Sequence, residues 1–363
     1  MFERNGDDKL LKYLRGDKNW TLLGDELAAI AQSNPKRLAR VYLRLTEADG
    51  APSPDNKAYH FAKMSREFIR KALALAGTEP ALVALLSIIE AVPLTDIPEL
   101  AAVMASGGDP KMLASHALRP YSPVLARIQP HLLHEMILRG RPVQSLLWEP
   151  ITIRIQNNGP FGNLSIDQLP EEATPCLAGF SPGGMGVGMG NRSISTVRSK
   201  FEADLDIAVK MKREESIALV VKPWVEESNG RMISWRGSFE GPVRPLGLIA
   251  RAPELGEATW IETAEIAPDQ AFGLMHGAAS HGGAYCKARY AAVGRLLAWQ
   301  NIAAMMAMSL QESNTVLAKA MHRFKWHHFT TDAWFDHIAW EIGILCIDEQ
   351  AKTFALMAGT DTD

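Results

Sequence analysis

The sequence predicts an α+β protein with two domains. An N-terminal all-α, HEAT-like helical-repeat layer is expected over residues 1–145, and an α+β domain with a mixed or antiparallel sheet around a central buried helix over residues 146–363. In the first part, apolar residues recur at helical spacing between marked helix stops. The second part combines β-prone runs with one long apolar segment. The length of 363 residues suits two domains.

Short amphipathic helices fill the first part. Gly77, Pro93 and the pair Gly107-Gly108 mark helix ends, and Pro35 is a good first-turn residue. The predicted segments are 19–34, 35–49, 56–77, 79–92 and 96–108. Brief turns between such helices favour a helical-repeat or an irregular bundle layer, and without a strict internal period both stay open.

The second part switches between strand and helix patterns. In order, these patterns predict a strand at 151–155, a helix over 195–215, a hairpin over 216–239 turning at Asn229-Gly230, a strand at 258–266, a helix over 285–308 and two strands around 348–350. The segment 285–308 is apolar on nearly every face, which is typical of a helix buried on all sides.

Composition limits the classes of partner. The chain carries 38 basic against 41 acidic residues, so we expect neither nucleic acid nor a membrane surface as a partner. Its three cysteines form no Cys-x-x-Cys pair, and its first residues lack the apolar region of a secretory signal. The apolar segment Tyr290–Met308 is interrupted by Arg295, Gln300 and Asn301, which would be costly in lipid. We therefore expect a cytoplasmic protein.

A glycine-rich loop, SPGGMGVGMGN, precedes the helix predicted over 195–215. Backbone N–H groups at Gly184, Gly186 and Gly188, together with Arg192, could bind an anion at the start of that helix. The glycines fit neither the dinucleotide-binding pattern nor the P-loop. A tightly packed or mobile glycine loop without a ligand is the alternative.

Most of the ten histidines lie late in the chain, among them His322, His327, His328 and His337. Their spacing matches neither His-Glu-x-x-His nor a facial triad. A row of imidazoles with their polar tips in water is the alternative to a metal site. We expect no metal and no cofactor.

The stretch SHGGAY stands at the start of the long apolar helix. Its two glycines allow close backbone approach, and His281 or Tyr285 could donate a proton to a ligand there. In the other interpretation, the stretch is a helix start that needs room.

Two arginines, Arg289 and Arg295, lie at or within this helix, and a buried arginine must be paired. Acids of the C-terminal half, including Asp361 and Asp363, are candidate partners. The arginines then either form a structural ion pair or line a pocket for an anionic ligand, with Arg295 part of its catalytic set.

Two segments resemble a known family. SHGGAYCKARYAAVGRLLAWQNIAAM and FDHIAWEIGILCIDEQAKTFALMAGTDTD are similar to an uncharacterised bacterial family, best represented in actinomycetes, in which Gly-Gly-Ala-Tyr precedes a Gly-Arg-Leu-x-Ala-Trp helix and the chain ends in Thr-Asp-Thr-Asp. The resemblance covers roughly 272–363 and implies no activity. It favours an ordered C-terminus over a frayed one.

Two hypotheses of function follow. The first is a cytoplasmic bacterial interaction or ligand-sensing protein that binds a protein partner through its N-terminal helical layer. The second is an enzyme acting on an anionic small molecule, phosphate-bearing or a nucleotide. Its pocket would combine the 183–190 loop, Arg192, His281, Tyr285, Arg295 and the terminal aspartates.

Overall fold

The chain forms two compact units. The computed structural model describes residues 2–14, 20–47, 57–93, 96–119, 122–141, 143, 145–147, 149–173, 177–181, 184–186, 197–200, 208–337 and 340–362. The first unit comprises Met1–Pro160 and Ala178–Gly188, and the second comprises Phe161–Leu177 and Met189–Asp363. The sequence had placed a single boundary at residue 145.

The first unit is built from helices. They are α1 (Phe2–Leu14), α2 (Trp20–Ser33), α3 (Pro35–Glu47), α4 (Lys57–Leu75), α5 (Glu79–Ala91), α6 (Ile97–Gly107), α7 (Pro110–Met112, continued by a π-helical turn at Leu113–Leu118), α8 (Leu125–Leu138) and α9 (Glu149–Asn157). A small hairpin of β1 (Gly179–Ser181) and β2 (Gly184–Gly186) completes it. The helices predicted between residues 19 and 108 are confirmed as α2–α6.

Helices of this unit pack against their next-but-one neighbours. Contacts join α1 to α3, α2 to α4, α3 to α5, α4 to α6 and α6 to α8. Helix α3 buries Leu38, Val41 and Leu45 along one stripe, as its amphipathic pattern predicts. Helix α6 is buried continuously from Leu100 to Ala105, so it lies in the interior of the unit.

The second unit is built on an antiparallel sheet. Its strands are β3 (Val197–Lys200), β4 (Val209–Arg213), β5 (Arg231–Phe239), β6 (Trp260–Ile266), β7 (Lys325–Thr331), β8 (Glu341–Asp348) and β9 (Thr353–Thr360), in the order β3-β6-β7-β8-β9-β5-β4. Its helices are α10 (Lys222–Glu227), α11 (Pro245–Ile249), α12 (Pro268–His281), α13 (Tyr290–Met305) and α14 (Asn314–Met321). Every described pair of neighbouring strands is antiparallel.

Both faces of the sheet are covered. Because side chains alternate along a strand, Ile344 and Cys346 of β8 join the core that contains α12 and α13, while Leu345 and Ile347 join the core that contains α11. Strands covered on both faces read as continuous apolar runs, as β8 and β9 do.

The central buried helix is confirmed as α13. Most of its residues are buried, including Arg295, Trp299 and Asn301, while Val293, Leu297 and Gln300 on one face are partly exposed. Helix α12 packs against it. Among the described residues, none of the helices combines the length and the apolar character that crossing a bilayer requires.

The predicted strand at 151–155 is wrong, because these residues belong to α9. Alternation would bury Ile153 together with Ile155, yet Ile155 is fully buried and Ile153 is 49% exposed. Pro150 lies in the first turn of α9, where a proline is tolerated. The isoleucines therefore follow a helical period.

The helix predicted over 195–215 is also wrong. Strands β3 and β4 occupy its two ends, and residues 201–207 lie outside the described residues. Pairing of β3 with β6 and of β4 with β5 prevails over the local helical spacing of apolar residues.

The predicted hairpin over 216–239 contains only one strand, β5. Pro223 starts α10 within this segment, and Asn229-Gly230 connects α10 to β5. The strand at 258–266 and the final two strands are confirmed as β6, β8 and β9.

Candidate functional site

The glycine-rich loop falls partly in the β1–β2 hairpin. Gly186 pairs with Gly179, and Gly184 pairs with Ser181. Gly188 and Arg192 lie outside the described residues. The hairpin belongs to the first unit, whereas His281, Tyr285, Arg289, Arg295 and Asp361 belong to the second. A pocket that combines these residues stays a prediction.

Arg295 is fully buried and paired with Glu172. Its Nε donates to Glu172 Oε2 at 2.9 Å, and its Nη2 donates to Glu172 Oε1 at 2.7 Å. Further hydrogen bonds run to the carbonyl oxygens of Ser165 at 2.9 Å and Asp167 at 3.2 Å. This bidentate geometry is the strong form of an arginine–carboxylate contact.

The Glu172 carboxylate accepts hydrogen bonds from two further side chains. Trp299 Nε1 donates to Glu172 Oε1 at 2.7 Å, and Asn314 Nδ2 donates to it at 3.1 Å. Glu172 therefore links α13 and α14 to the 161–173 segment. The partner of Arg295 is Glu172 rather than a terminal aspartate, and this arrangement favours the structural ion pair over a ligand pocket.

The side chain of Asp361 contacts the SHGGAY loop at Gly283 and Ala284. Its Oδ2 accepts a hydrogen bond from Ala284 N at 2.7 Å, and its side chain is buried. A Cβ on Gly283 would lie 2.0 Å from this oxygen and 3.2 Å from Trp224 Cγ, so the close approach requires glycine. The C-terminal segment is thus packed at Thr360 and Asp361, while Asp363 lies outside the described residues.

The other candidates around this loop are held by protein groups. Tyr285 is 63% exposed, and its backbone N donates to Ser228 Oγ at 3.0 Å. Arg289 pairs with Glu227. His281 ends α12 and is partly buried. Of the predicted catalytic set, Tyr285 is on the surface and Arg295 is in the core.

Cys286 lies in the same loop. Burial raises the pKa of its thiol, although the hydrogen bond from Gly283 N to its Sγ, at 2.8 Å, acts in the opposite direction. A thiol with a raised pKa is protonated at neutral pH and is a poor nucleophile.

The late histidines are spread over a strand and its surroundings. His327 and His328 lie on β7, and burial lowers the pKa of both. His322 lies 3.0 Å from Glu171, and His337 Nε2 lies 2.9 Å from the carbonyl oxygen of Thr331. Within the described part of the chain, no group of three or more histidine, cysteine, aspartate and glutamate residues is arranged to hold a metal ion.

A groove between α4 and α6 was missed at the level of the sequence. Arg70 lines it and makes no hydrogen bond, ion pair or ring contact with another described residue, and its nitrogen atoms are open to solvent. Leu100 and Val103 form its apolar part. The sequence does carry a signal for the position of Arg70. It directly follows the apolar Ile69 and lies three residues before the apolar Leu73, at the edge of the apolar face of α4.

Three of the four remaining charges around the groove have partners. Lys71 Nζ lies 2.8 Å from Glu99 Oε1. Asp96 caps α6, since its Oδ1 accepts from Glu99 N at 3.2 Å. Glu67 lies one turn before Arg70 on α4 and completes the lining.

Comparison with known proteins identifies a family but no activity. A family model described as a family of unknown function (DUF6183) matches residues 23–363. No curated protein and no solved structure matches the chain. Because the match spans nearly the whole chain, the chain belongs to this family.

Proposed function

We propose that this member of the DUF6183 family is an interaction protein whose helical unit binds a protein partner along the groove between α4 and α6. The observation that carries the proposal is the layer of helices that pack against next-but-one neighbours, with a small pocket between α4 and α6 that Arg70 lines. Stacked helices of helical-repeat proteins present extended binding surfaces in the same way. The second unit would serve as a ligand-sensing or docking module.

The alternative, an enzyme acting on an anionic small molecule, has less support. Arg295 is committed to Glu172, and Arg289 is paired with Glu227. An anion that bound Arg295 or Arg289 would have to displace the carboxylate that the arginine holds. The carboxylate of Asp361 beside the glycine loop adds to the repulsion.

We also propose a bacterial cytoplasmic location. Cys286 and Cys346 are buried free thiols, which suits a reducing compartment. The resemblance of the SHGGAY and C-terminal segments to a bacterial family supports the bacterial origin.

Site-specific photo-crosslinking tests the docking surface. Met64 is 38% exposed and lies on the face of α4 that carries Glu67 and Lys71, because it precedes them by three and seven residues. A photo-crosslinking residue at Met64 should give one discrete protein adduct in cells. The same residue at Val316, 44% exposed on α14, is the matched control and should not.

Adducts at both positions, or at Val316 alone, would contradict docking along α4 and α6. A full-length, folded protein with no adduct at Met64 would contradict it as well.

A further inference from the structure

Strand β4 lies at one edge of the sheet in the second unit. It pairs with β5, and among the described residues no strand pairs with its other side. Glu214 N, directly after the strand, donates to Ser234 O of β5 at 3.2 Å, so the even-numbered residues of this stretch face β5. Because backbone groups alternate in an antiparallel pair, the open edge receives the N–H and C=O groups of Val209, Met211 and Arg213.

The side chains of β4 differ between its two faces. Val209 and Met211 are partly buried and pack against the core that contains α11. Lys210 and Lys212 project from the opposite face, since side chains alternate along a strand, and both are exposed. The edge therefore combines open backbone groups with an apolar side and a basic side.

The neighbouring charges leave both lysines able to bind a carboxylate. Lys210 forms no ion pair with another described residue. The side chain of Lys212 is 74% exposed, and its Nζ lies 3.7 Å from Glu214 Oε2. Arg236 binds the same carboxylate oxygen more closely, at 2.8 Å. A carboxylate from outside the chain can therefore approach both lysines from solvent.

A second copy of the chain is a poor occupant of this edge. Antiparallel pairing of β4 with itself, centred on Met211, would place Lys210 opposite Lys212 of the second copy. Like charges directly opposite each other destabilise a sheet, and lysines on edge strands protect against such pairing. The same two charges favour a strand that carries carboxylates.

We infer that the β4 edge binds an extended segment of a protein partner in which acidic and apolar side chains alternate. The segment adds a strand to the sheet, with main-chain hydrogen bonds supplying affinity and alternate side chains supplying specificity. Its carboxylates lie beside Lys210 and Lys212, and its apolar side chains lie beside Val209 and Met211. The inference goes beyond docking along α4 and α6, because β4 belongs to the second unit.

Backbone amide NMR of the full-length chain tests the inference with defined peptides. The acidic probe is acetyl-Val-Glu-Val-Glu-Val-amide, and the basic probe carries lysine in place of both glutamates. The acidic probe should shift the amide signals of Val209, Met211 and Arg213, with an affinity on the order of millimolar for so short a peptide. Added salt should weaken its binding, since exposed charges are screened. The basic probe should leave these signals unchanged.

A modified probe tests the backbone contribution. N-methylation of the central valine of the acidic probe removes the N–H that strand addition directs at β4, while both carboxylates remain. This probe should bind clearly more weakly than the acidic probe.

Variants assign the charge preference to the two lysines. In the double variant Lys210→Glu and Lys212→Glu, the affinity for the acidic probe should fall about tenfold or more, and the basic probe should now shift the β4 signals. Lys319→Glu reverses an exposed charge on α14 and is the matched control, in which both probes should behave as with the wild type. All three lysines are exposed, so the variants should fold.

Several outcomes overturn the inference. Equal shifts with the acidic and the basic probe, or no shift of the β4 signals with either, would exclude a basic edge that takes an acidic strand. Unchanged binding of the N-methylated probe would exclude strand addition. If the β4 signals change with protein concentration in the absence of peptide, the occupant is a second copy.

The inference and the proposed function fail separately. The adduct at Met64 reports on the helical unit, whereas the peptide shifts report on β4. Loss of either result leaves the other standing.

Discussion

Glu172 and Arg295 show how much stability a single buried pair can control. Both side chains are 0% exposed, and the Glu172 carboxylate also accepts bonds from Trp299 and Asn314. Arg295→Met should destabilise the protein by about 3–5 kcal/mol, because it leaves a buried carboxylate without its charge partner. The free energy of unfolding in urea measures the effect.

Arg289→Met is the matched control. Arg289 and Glu227 are both partly exposed, so their pair should contribute no more than about 1 kcal/mol. Equal losses in the two variants would mean that Arg295 and Glu172 are not buried together.

His276 makes stability depend on pH. Burial lowers its pKa from 6.5 to about 3, and the positive charges of Arg295 and His281 act in the same direction. As pH falls below 6.5, the unfolded chain binds a proton that the folded chain does not, so stability is lost progressively down to about pH 3.

His276→Gln replaces the titratable imidazole with an amide that does not titrate. The amide can still donate to the Ala291 carbonyl oxygen, which His276 Nε2 contacts. From pH 7 to 5 the wild type should lose about 2 kcal/mol relative to the variant. Unfolding curves at several pH values measure the difference, and parallel pH profiles would disprove the assignment.

The sequence predicted that Arg295 would be buried and paired, because an arginine within an apolar helix has few alternatives. It did not identify Glu172, since that contact depends on how the irregular 161–173 segment folds back onto α13 and α14. Arg70 was missed because an amphipathic pattern does not show which charged residue of a helix lines a pocket.

Helices α12 and α13 approach closely at Gly294. A Cβ there would lie 2.0 Å from Ser280 Oγ and 3.0 Å from Ser280 Cα, and the second contact cannot be relieved by rotating a side chain. Gly294→Ala should therefore destabilise by about 1–3 kcal/mol. Helix propensity alone would predict a gain in stability of up to about 1 kcal/mol. The sign of the measured change therefore distinguishes close packing from helix propensity.

Thermal unfolding of Gly294→Ala should be compared with that of Gly256→Ala. A Cβ at Gly256 meets nothing closer than 3.7 Å, so that variant should be unchanged or slightly more stable. Stabilisation of the Gly294 variant would show that the two helices are further apart.

Elements were predictable where one pattern dominates. The final hairpin follows from two apolar runs around a polar turn, and Asp348 Oδ1 fixes that turn by accepting from Gln350 N and Ala351 N. The segment 151–155 was misassigned because isoleucines two apart fit a strand while those four apart fit a helix. Only the burial of Ile155 with the exposure of Ile153 decides between them.

At the scale of the whole molecule, the charge balance predicts no affinity for nucleic acid. With 38 basic and 41 acidic residues, the chain lacks the excess of cations that releases counterions from DNA. Fluorescence anisotropy with duplex DNA at physiological salt should give a dissociation constant no tighter than about 0.1 mM. Micromolar binding would reveal a basic surface that the composition conceals.

The fold class was predictable because it depends on apolar patterns that extend over many residues. Helical periodicity dominates up to about residue 108, and apolar strand runs dominate the last thirty residues or so, whatever happens between them. The boundary was less predictable, since residues 178–188 return to the first unit and 161–177 belong to the second. Such exchanges are set by tertiary contacts.

Hydrogen exchange of the full-length protein, alone and with the partner captured through Met64, tests the central claim most directly. If a protein partner docks on the helical unit, it slows exchange of backbone amides in α4 and α6. Protection confined to the second unit, with exchange in α4 and α6 unchanged, would contradict it.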